Sequence, residues 1–137
     1  MITKIIIFCQ FFKHPALSRG YLVSPKNNGL YQSFFGDGYG SKYMNGTIIY
    51  GDIIDNNVNA AGWIIQEDSY VGAASAYNPK RMLFTAFDTP MTIAEKIRYA
   101  QNQGLGGMIL ADISGDLKKA DIHYNEKSLL NAIVKRI

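Results

Sequence analysis

The hydrophobic positions of this chain change their period along the sequence. Residues 4–12 form a continuous β-branched and aromatic run, which is typical of a strand covered on both faces, as in a parallel sheet. Residues 47–50, 62–65 and 82–87 are shorter apolar runs between Gly, Asn, Ser and Pro turn signals, and they predict short strands. The middle third of the chain is therefore predicted to be a small antiparallel or α+β unit.

After Phe87 the apolar period becomes helical. Thr89 and Pro90 provide a capping residue and a proline for the first turn of a helix, and Gly104 provides its stop. Between them, apolar residues recur at helical spacing: Ile93, Ile97 and Ala100.

A second buried strand and a last helix are predicted downstream. The strand is predicted over residues 107–113, where Met108 to Leu110 is an apolar run bounded by glycines, and the polar Asp112, Ser114 and Asp116 follow that run. Residues 129–137 carry an apolar stripe at helical spacing. The order strand, small insertion, helix, buried strand and helix is an interrupted βαβα unit, which is typical of a parallel sheet or barrel.

The composition excludes several function classes. Hydrophobic residues make up 47% of the 137 residues, which is enough for the packed core of one domain. The net charge is +3 and the 14 Lys and Arg are scattered singly, which argues against a nucleic-acid-binding protein. One Cys excludes an internal disulfide, and the two His have no zinc-type spacing, so the sequence predicts neither a metal site nor a cofactor.

The amino-terminal run also resembles a short signal peptide. Gln10 interrupts its apolar centre and Lys13 follows at once, so we favour a buried strand and leave the compartment open. No apolar run reaches the length that spans a membrane.

Several motifs, taken in order, resemble the C-terminal part of glycoside hydrolase family 18, the chitinases. The nearest match is Gly104-Leu105-Gly106-Gly107-Met108 followed by Ser114-Gly115-Asp116, which is similar to the family's Gly-Leu-Gly-Gly-Val-Met-Phe-Trp-Glu-Leu-Ser-Gly-Asp. The other matches are at residues 18–21, 27–32, 76–79, 84–90 and 129–133. The resemblance covers most of the chain.

The resemblance implies a (β/α)8 barrel of which this chain holds only a segment. Residues 1–20 and 88–137 would be strands seven and eight with their helices, and residues 21–87 would be an insertion domain. The predicted fold class is α/β: a partial (β/α)8 TIM-barrel segment with a small α+β chitinase insertion domain. Two barrel strands leave unpaired edges, so we expect a homo-oligomer, a partner chain that covers them, or a rebuilt compact fold.

The family's catalytic Asp-x-x-Asp-x-Asp-x-Glu motif lies on strand four, upstream of the matched segments. Its Glu protonates the glycosidic oxygen, and the substrate's acetamido group acts as nucleophile. Residues 52–59 have the same spacing, but Asn57 and Asn59 replace the third acid and the proton donor. An amide has no proton to deliver at neutral pH. The resemblance therefore implies no catalytic residue here and no hydrolysis by this chain alone.

The resemblance makes five residues candidate sugar contacts: Arg19, Tyr21, Asp37, Trp63 and Asp112. Arg19 matches a family Arg that points into the sugar cleft, where a guanidinium donates to hydroxyl and acetamido oxygens. Asp37 matches a cleft Asp, and a salt bridge or turn is the alternative for both. The rings of Tyr21 and Trp63 would contact N-acetylglucosamine or pack the core. Asp112 takes the position of a family Glu, or makes structural hydrogen bonds at the end of a strand.

Ala111 stands where the family has a Trp that forms the floor of a sugar subsite. The absence of this Trp removes a stacking contact of about 1 kcal/mol. Three hypotheses follow: a chitinase-derived segment completed by another chain, an inactive lectin-like protein that binds chito-oligosaccharide, and a structural or assembly protein. The expected partners are a chito-oligosaccharide and a second chain, and neither nucleic acid nor a membrane is expected.

Overall fold

A computed structural model describes residues 17–26, 31–38, 46–54, 62–107, 109–110 and 113–136. The strands are β1 (Leu17–Val23), β2 (Phe34–Asp37), β3 (Thr47–Ile49), β4 (Ile64–Asp68), β5 (Ala73–Asn78) and β6 (Leu83–Phe87). The helices are α1 (Tyr50–Ile54), α2 (Pro90–Asn102), α3 (Tyr124–Lys127) and α4 (Leu129–Val134), with a 3₁₀ helix at Ile113–Gly115.

The strands form one antiparallel sheet in the order β2-β1-β6-β5-β4, and β3 pairs with the first half of β1. The strand β1 is central because it pairs with β2, β3 and β6. Strands β4, β5 and β6 follow each other through short turns, and Gly72 in the first turn has a positive φ of 65°.

Helices cover one face of this sheet. Residues of β5 and β6 that point to this face pack with residues of α1, α2 and α4 in a single hydrophobic cluster. Its buried members include Ala74, Ala76, Leu83, Phe87, Ile53, Ile93, Ile97 and Leu129. The described residues therefore form a two-layer α+β unit whose second sheet face carries no helix of the described chain.

The predicted helix after Phe87 is confirmed as α2. The Thr89 hydroxyl accepts from the Thr92 amide, and the Thr92 hydroxyl accepts from the Thr89 amide, so both groups form a capping box next to Pro90. The Asp88 carboxylate accepts from Lys96 Nζ at 2.5 Å. This contact ties the residue before the N-cap to the helix. The predicted stop is also confirmed, because Gly104 follows the helix with a positive φ of 64°.

The predicted short strands are confirmed as β3, β4 and β6, with shifted ends. The segment predicted as 47–50 leaves the sheet at Tyr50, where α1 begins, and the strand predicted at 62–65 starts at Ile64 and continues to Asp68. The strand β5 was not predicted. The strand predicted at 4–12 lies outside the described residues.

The predicted buried strand at 107–113 is wrong for the residues described there. Residues 105–107 and 109–110 are in no strand, Ile109 is 45% exposed, and Ile113 begins the 3₁₀ helix. A strand needs a neighbour to receive its backbone hydrogen bonds. Within the described residues every strand belongs to the antiparallel sheet, and none pairs with this segment.

The predicted boundary between residues 20 and 21 falls inside β1, which runs without a break from Leu17 to Val23. The described residues show a mixed sheet and helix unit, and the division into a partial barrel and an insertion domain stays a prediction.

Asp116 fixes the carboxyl-terminal helix. Its two carboxylate oxygens accept from the backbone amides of Leu117, Leu129 and Leu130 and from the Ser128 hydroxyl, at 2.8 to 3.0 Å. It is 8% exposed. A carboxylate at the first turn satisfies amides that have no partner within the helix and faces its positive dipole end. Asp116 therefore stabilises the start of α4.

Tyr50 connects α1 to the same region. Its hydroxyl donates to the backbone oxygen of Lys127 at 2.6 Å. Burial, and then the nearby carboxylate of Asp116, raise the pKa of the Tyr50 phenol well above its usual range. The phenol therefore stays neutral and keeps donating across the core.

We predict that Asp116→Ala lowers the free energy of unfolding by about 2–4 kcal/mol, because buried amides lose their acceptor. Urea unfolding followed by circular dichroism measures this change. Glu126→Ala is the control, since Glu126 is an exposed carboxylate on α3, and its effect should stay within about 0.5 kcal/mol. Equal stability of the two variants would contradict the capping role.

Candidate functional site

The face of the sheet opposite the helices, which we call the outer face, carries a row of large side chains. Directly paired residues of an antiparallel sheet point to the same side. The pairing therefore aligns one residue from each of five strands across this face: Ile64, Tyr77, Phe84, Tyr21 and Asp37. Arg19 lies two residues before Tyr21 on β1 and so shares the face.

Three glycines let the strands meet closely beside Arg19. The Gly20 amide donates to the Gly46 oxygen, the Gly46 amide to the Gly38 oxygen, and the Gly38 amide to the Gly20 oxygen, at 2.8 to 3.0 Å. A Cβ on Gly20 would lie 2.6 Å from Ile48 Cδ1, and one on Gly38 would lie 2.6 Å from Leu83 Cδ2. This three-glycine junction brings the end of β2 against β1.

Hydroxyl groups of Thr85 and Ser18 also fix the backbone at Arg19. The Thr85 hydroxyl of β6 donates to the backbone oxygen of Arg19 at 2.8 Å, and the Ser18 hydroxyl donates to the backbone oxygen of Ile48 in β3 at 3.2 Å. Thr85 is fully buried. The position of Arg19 is therefore set from both neighbouring strands.

Arg19 and Asp37 form an ion pair on the outer face. Arg19 Nη1 lies 3.7 Å from Asp37 Oδ1, and the two side chains are 72% and 63% exposed. The salt bridge that the sequence offered as an alternative is present. An exposed pair of this length contributes less than about 1 kcal/mol to stability. A guanidinium has five N–H groups, so this contact leaves donors that face solvent.

Tyr21 provides a half-buried ring beside this pair. Its ring meets that of Phe34 edge to face, with the centroids 5.2 Å apart and the planes at 64°. Phe34 was not among the predicted site residues, and the edge-to-face contact fixes the orientation of the tyrosine. The structure therefore brings together Arg19, Tyr21 and Asp37.

The structure does not bring Trp63 to this site. Trp63 is 7% exposed and belongs to the hydrophobic core, which is the other role the sequence allowed. Packing against the helical layer buries its rings, so they offer no face to a ligand. Asp112 and Ala111 lie outside the described residues.

Metal and membrane sites receive no support from the described part of the chain. Its His, Cys, Asp and Glu residues include no group of three that could hold a metal ion. None of the helices in the described ranges is long and apolar enough to cross a membrane.

Comparison with known proteins relates this chain to chitinases. No family model matches it. It is 26% identical over 92 residues to Chitinase A1 of Niallia circulans. The aligned region is 67% of this chain and 13% of that protein.

Solved structures show the same relationship. Chitinase ChiA74 from Bacillus thuringiensis superposes with a TM-score of 0.72 and 25% identity over 89% of this chain and 22% of that one. The GH18 chitinase from Cycas revoluta in complex with (GlcNAc)3 superposes with a TM-score of 0.64 and 22% identity over 76% of this chain and 28% of that one. The chain therefore spans less than a third of each of these proteins.

We predict that Gly38→Ala destabilises the protein by about 1–3 kcal/mol, because the added methyl group meets Leu83 and the Gly20 backbone. Gly36→Ala, two residues earlier on β2, is the control, since no atom lies within 4 Å of the Cβ it would add. Thermal and urea unfolding measure both variants. An unchanged midpoint for Gly38→Ala would contradict close approach at the three-glycine junction.

Proposed function

Because the chain resembles part of the glycoside hydrolase family 18 chitinases, we propose that it binds a chito-oligosaccharide on the outer face and does not hydrolyse it. The observation that carries the proposal is the cluster of Arg19, Tyr21 and Asp37 on an exposed sheet face. A guanidinium, a carboxylate and an oriented aromatic ring are the groups that recognise hydroxyl, acetamido and ring C–H surfaces of a sugar.

The proposed contacts divide by chemistry. Arg19 donates to acetamido or hydroxyl oxygens through the N–H groups that do not face Asp37. Asp37 keeps the guanidinium oriented and accepts from a sugar hydroxyl. Tyr21 offers its ring and hydroxyl at the next position along β1. The Cycas revoluta chitinase, which shares the fold, is in complex with (GlcNAc)3, and this supports the choice of ligand.

The absence of hydrolysis is proposed from the sequence. The family's acidic motif has no match in this chain, and the similar spacing at residues 52–59 carries Asn57 and Asn59 in place of acids. Asn at the donor position cannot protonate a leaving oxygen. The chain would thus contribute contacts to a sugar without the proton donor that cleaves it.

A second candidate function is favoured by the segment that follows α2. Residues 105–107 and 109–110 form no strand, and Ile109 and Ile113 are 45% and 55% exposed. We propose that a polypeptide with the remaining barrel units pairs with this segment and completes a chitinase. In that assembly the outer face would be one wall of the substrate cleft.

We predict that isothermal titration with chitotetraose gives saturable binding, and that Arg19→Ala weakens it about tenfold or more. A hydrogen bond from a charged group contributes about 1.5–3 kcal/mol, which corresponds to this loss. Arg81→Ala is the control, since Arg81 is an exposed arginine in the turn between β5 and β6. A fluorogenic chitobioside should give no turnover. Absence of binding, equal losses in both variants, or sustained turnover would contradict the proposal.

We predict for the second candidate that a polypeptide carrying the remaining barrel strands with the Asp-x-x-Asp-x-Asp-x-Glu motif binds this chain. Coexpression of that polypeptide with this chain should give a copurifying complex that cleaves the chitobioside. Ile109→Asp should abolish copurification, because a charge would enter the pairing surface, and Ile122→Asp on the exposed surface before α3 should not. No complex, or a complex that does not cleave the chitobioside, would contradict this assembly.

A further inference from the structure

The sheet has two edge strands, β2 and β4, and they differ in regularity. Within the described residues β4 pairs with β5 alone, and all five of its residues keep one register with that strand. The strand β2 pairs with β1 through a register shift between Leu22 and Val23. An irregular edge is a poor template for a further strand, whereas a regular edge offers a row of backbone N–H and C=O groups. The β4 edge is therefore the better surface for adding a strand.

The side chains of β4 are accessible. Four of its five residues are exposed, and Ile65 is half-buried. Ile64 is 51% exposed, and the turn that follows the strand adds Tyr70 and Val71, which are 96% and 61% exposed. The edge thus combines a row of backbone groups with exposed apolar side chains at both of its ends.

Charge is distributed unevenly along this edge. Glu67 and Asp68 end β4, and Asp68 is held in place because its Oδ1 atom accepts from two backbone amides of the following turn, at 2.9 and 3.2 Å. The exposed Lys80 lies beside the other end, since a Cβ added to Gly62 would be 3.9 Å from Lys80 Cδ. One end of the edge is therefore acidic and the other is basic.

Antiparallel pairing of two copies brings these opposite ends together. Full overlap of β4 with β4 of a second copy places Gln66 opposite Gln66, because this residue is at the centre of the strand. Asp68 then lies opposite Ile64 of the other copy and diagonal to its Gly62. Such diagonal positions are roughly 7–8 Å apart, which the long side chain of Lys80 spans. In this register no carboxylate of β4 lies directly opposite another, so charge complementarity selects a second copy of this chain as the occupant of the edge.

We propose that the chain forms a symmetric dimer through antiparallel pairing of its β4 edges. Each Asp68 pairs with Lys80 of the other copy, and Tyr70 and Val71 lie beside the start of the neighbouring strand. Directly paired residues point to the same side, so the two outer faces lie on one side of a continuous sheet. The paired strands are only about 17 Å long, and interfaces under about 1,200 Å² in total are typical of weak association. This inference does not depend on sugar binding.

Sedimentation equilibrium from about 1 μM to about 1 mM measures the association. Wild type should change from monomer to dimer across this range and form no larger species. Ile64→Asp places a carboxylate opposite Asp68 in two symmetric contacts, and it should weaken the dimer about tenfold or more. Ile122→Asp is the control, since Ile122 is 77% exposed before α3, and it should leave the dimer unchanged. Circular dichroism checks that each variant is folded.

A double-mutant cycle tests the ion pair independently of Ile64. Asp68→Asn keeps an acceptor for the amides of its turn. Asp68→Asn and Lys80→Gln should each weaken the dimer about two- to tenfold, and the double variant should be no weaker than either single variant. Lys119→Gln is the matched control, because it removes the same charge from another exposed position, and it should have no effect.

Four results would overturn the proposal. A chain that stays monomeric at the highest concentration leaves the β4 edge without an occupant. Species that grow beyond the dimer indicate head-to-tail pairing of β4 with β2. Equal effects of Ile64→Asp and Ile122→Asp, or additive losses in the double-mutant cycle, place the contact elsewhere on the molecule.

Discussion

The structure depends on the pairing of one strand, β1, with three others. A strand has two edges, so three neighbours fit only if two of them pair with different parts of the same edge. The three-glycine junction of Gly20, Gly38 and Gly46 supplies the close approach that this requires, because their backbones exchange hydrogen bonds where side chains would collide. The same junction brings Asp37 next to Arg19. The geometry that assembles the sheet therefore also assembles the candidate site.

The two faces of the sheet differ in role: one packs against helices and the other presents side chains to solvent. The helices α2 and α4 cover one face, and Asp116 caps α4. The hydrophobic cluster between these helices and the sheet stabilises the unit. The outer face keeps Arg19 and Tyr21 accessible on β1, whose backbone pairs with neighbours on both sides. Groups on rigid strands bind a ligand with little loss of conformational freedom, which is the advantage of preorganisation.

The sequence predicted the features that depend on local chemistry. The helix α2 follows from Thr89, Pro90 and an apolar period. The resemblance named Arg19 and Asp37 as candidate sugar contacts, and the structure pairs their side chains although 17 intervening residues separate them. Features that depend on distant partners were missed. The strand β5 is rich in Ala and Ser, which have weak strand preference, and its pairing on both sides determines its conformation. Residues 107–113 have the composition of a strand, but the described chain supplies no neighbour for them.

The residues that support the backbone differ from the residues that are proposed to contact a sugar. The three-glycine junction and the Asp116 cap serve the backbone of a chain that spans 22% of the Bacillus thuringiensis chitinase it superposes on. Asp116 thus belongs to the motif by which the chain resembles chitinases, yet its hydrogen bonds stabilise a helix. The residues that would contact sugar form a separate set on the outer face.

The measurement that tests the central claim most directly is a titration of the isotope-labelled chain with chitotetraose, followed by amide NMR and by analysis of the sugar at the end. The account predicts that the shifted amides cluster at Arg19, Tyr21 and Asp37 on the outer face and that the tetramer is recovered intact. Shifts confined to the helical layer, or conversion of the tetramer to shorter sugars, would contradict it.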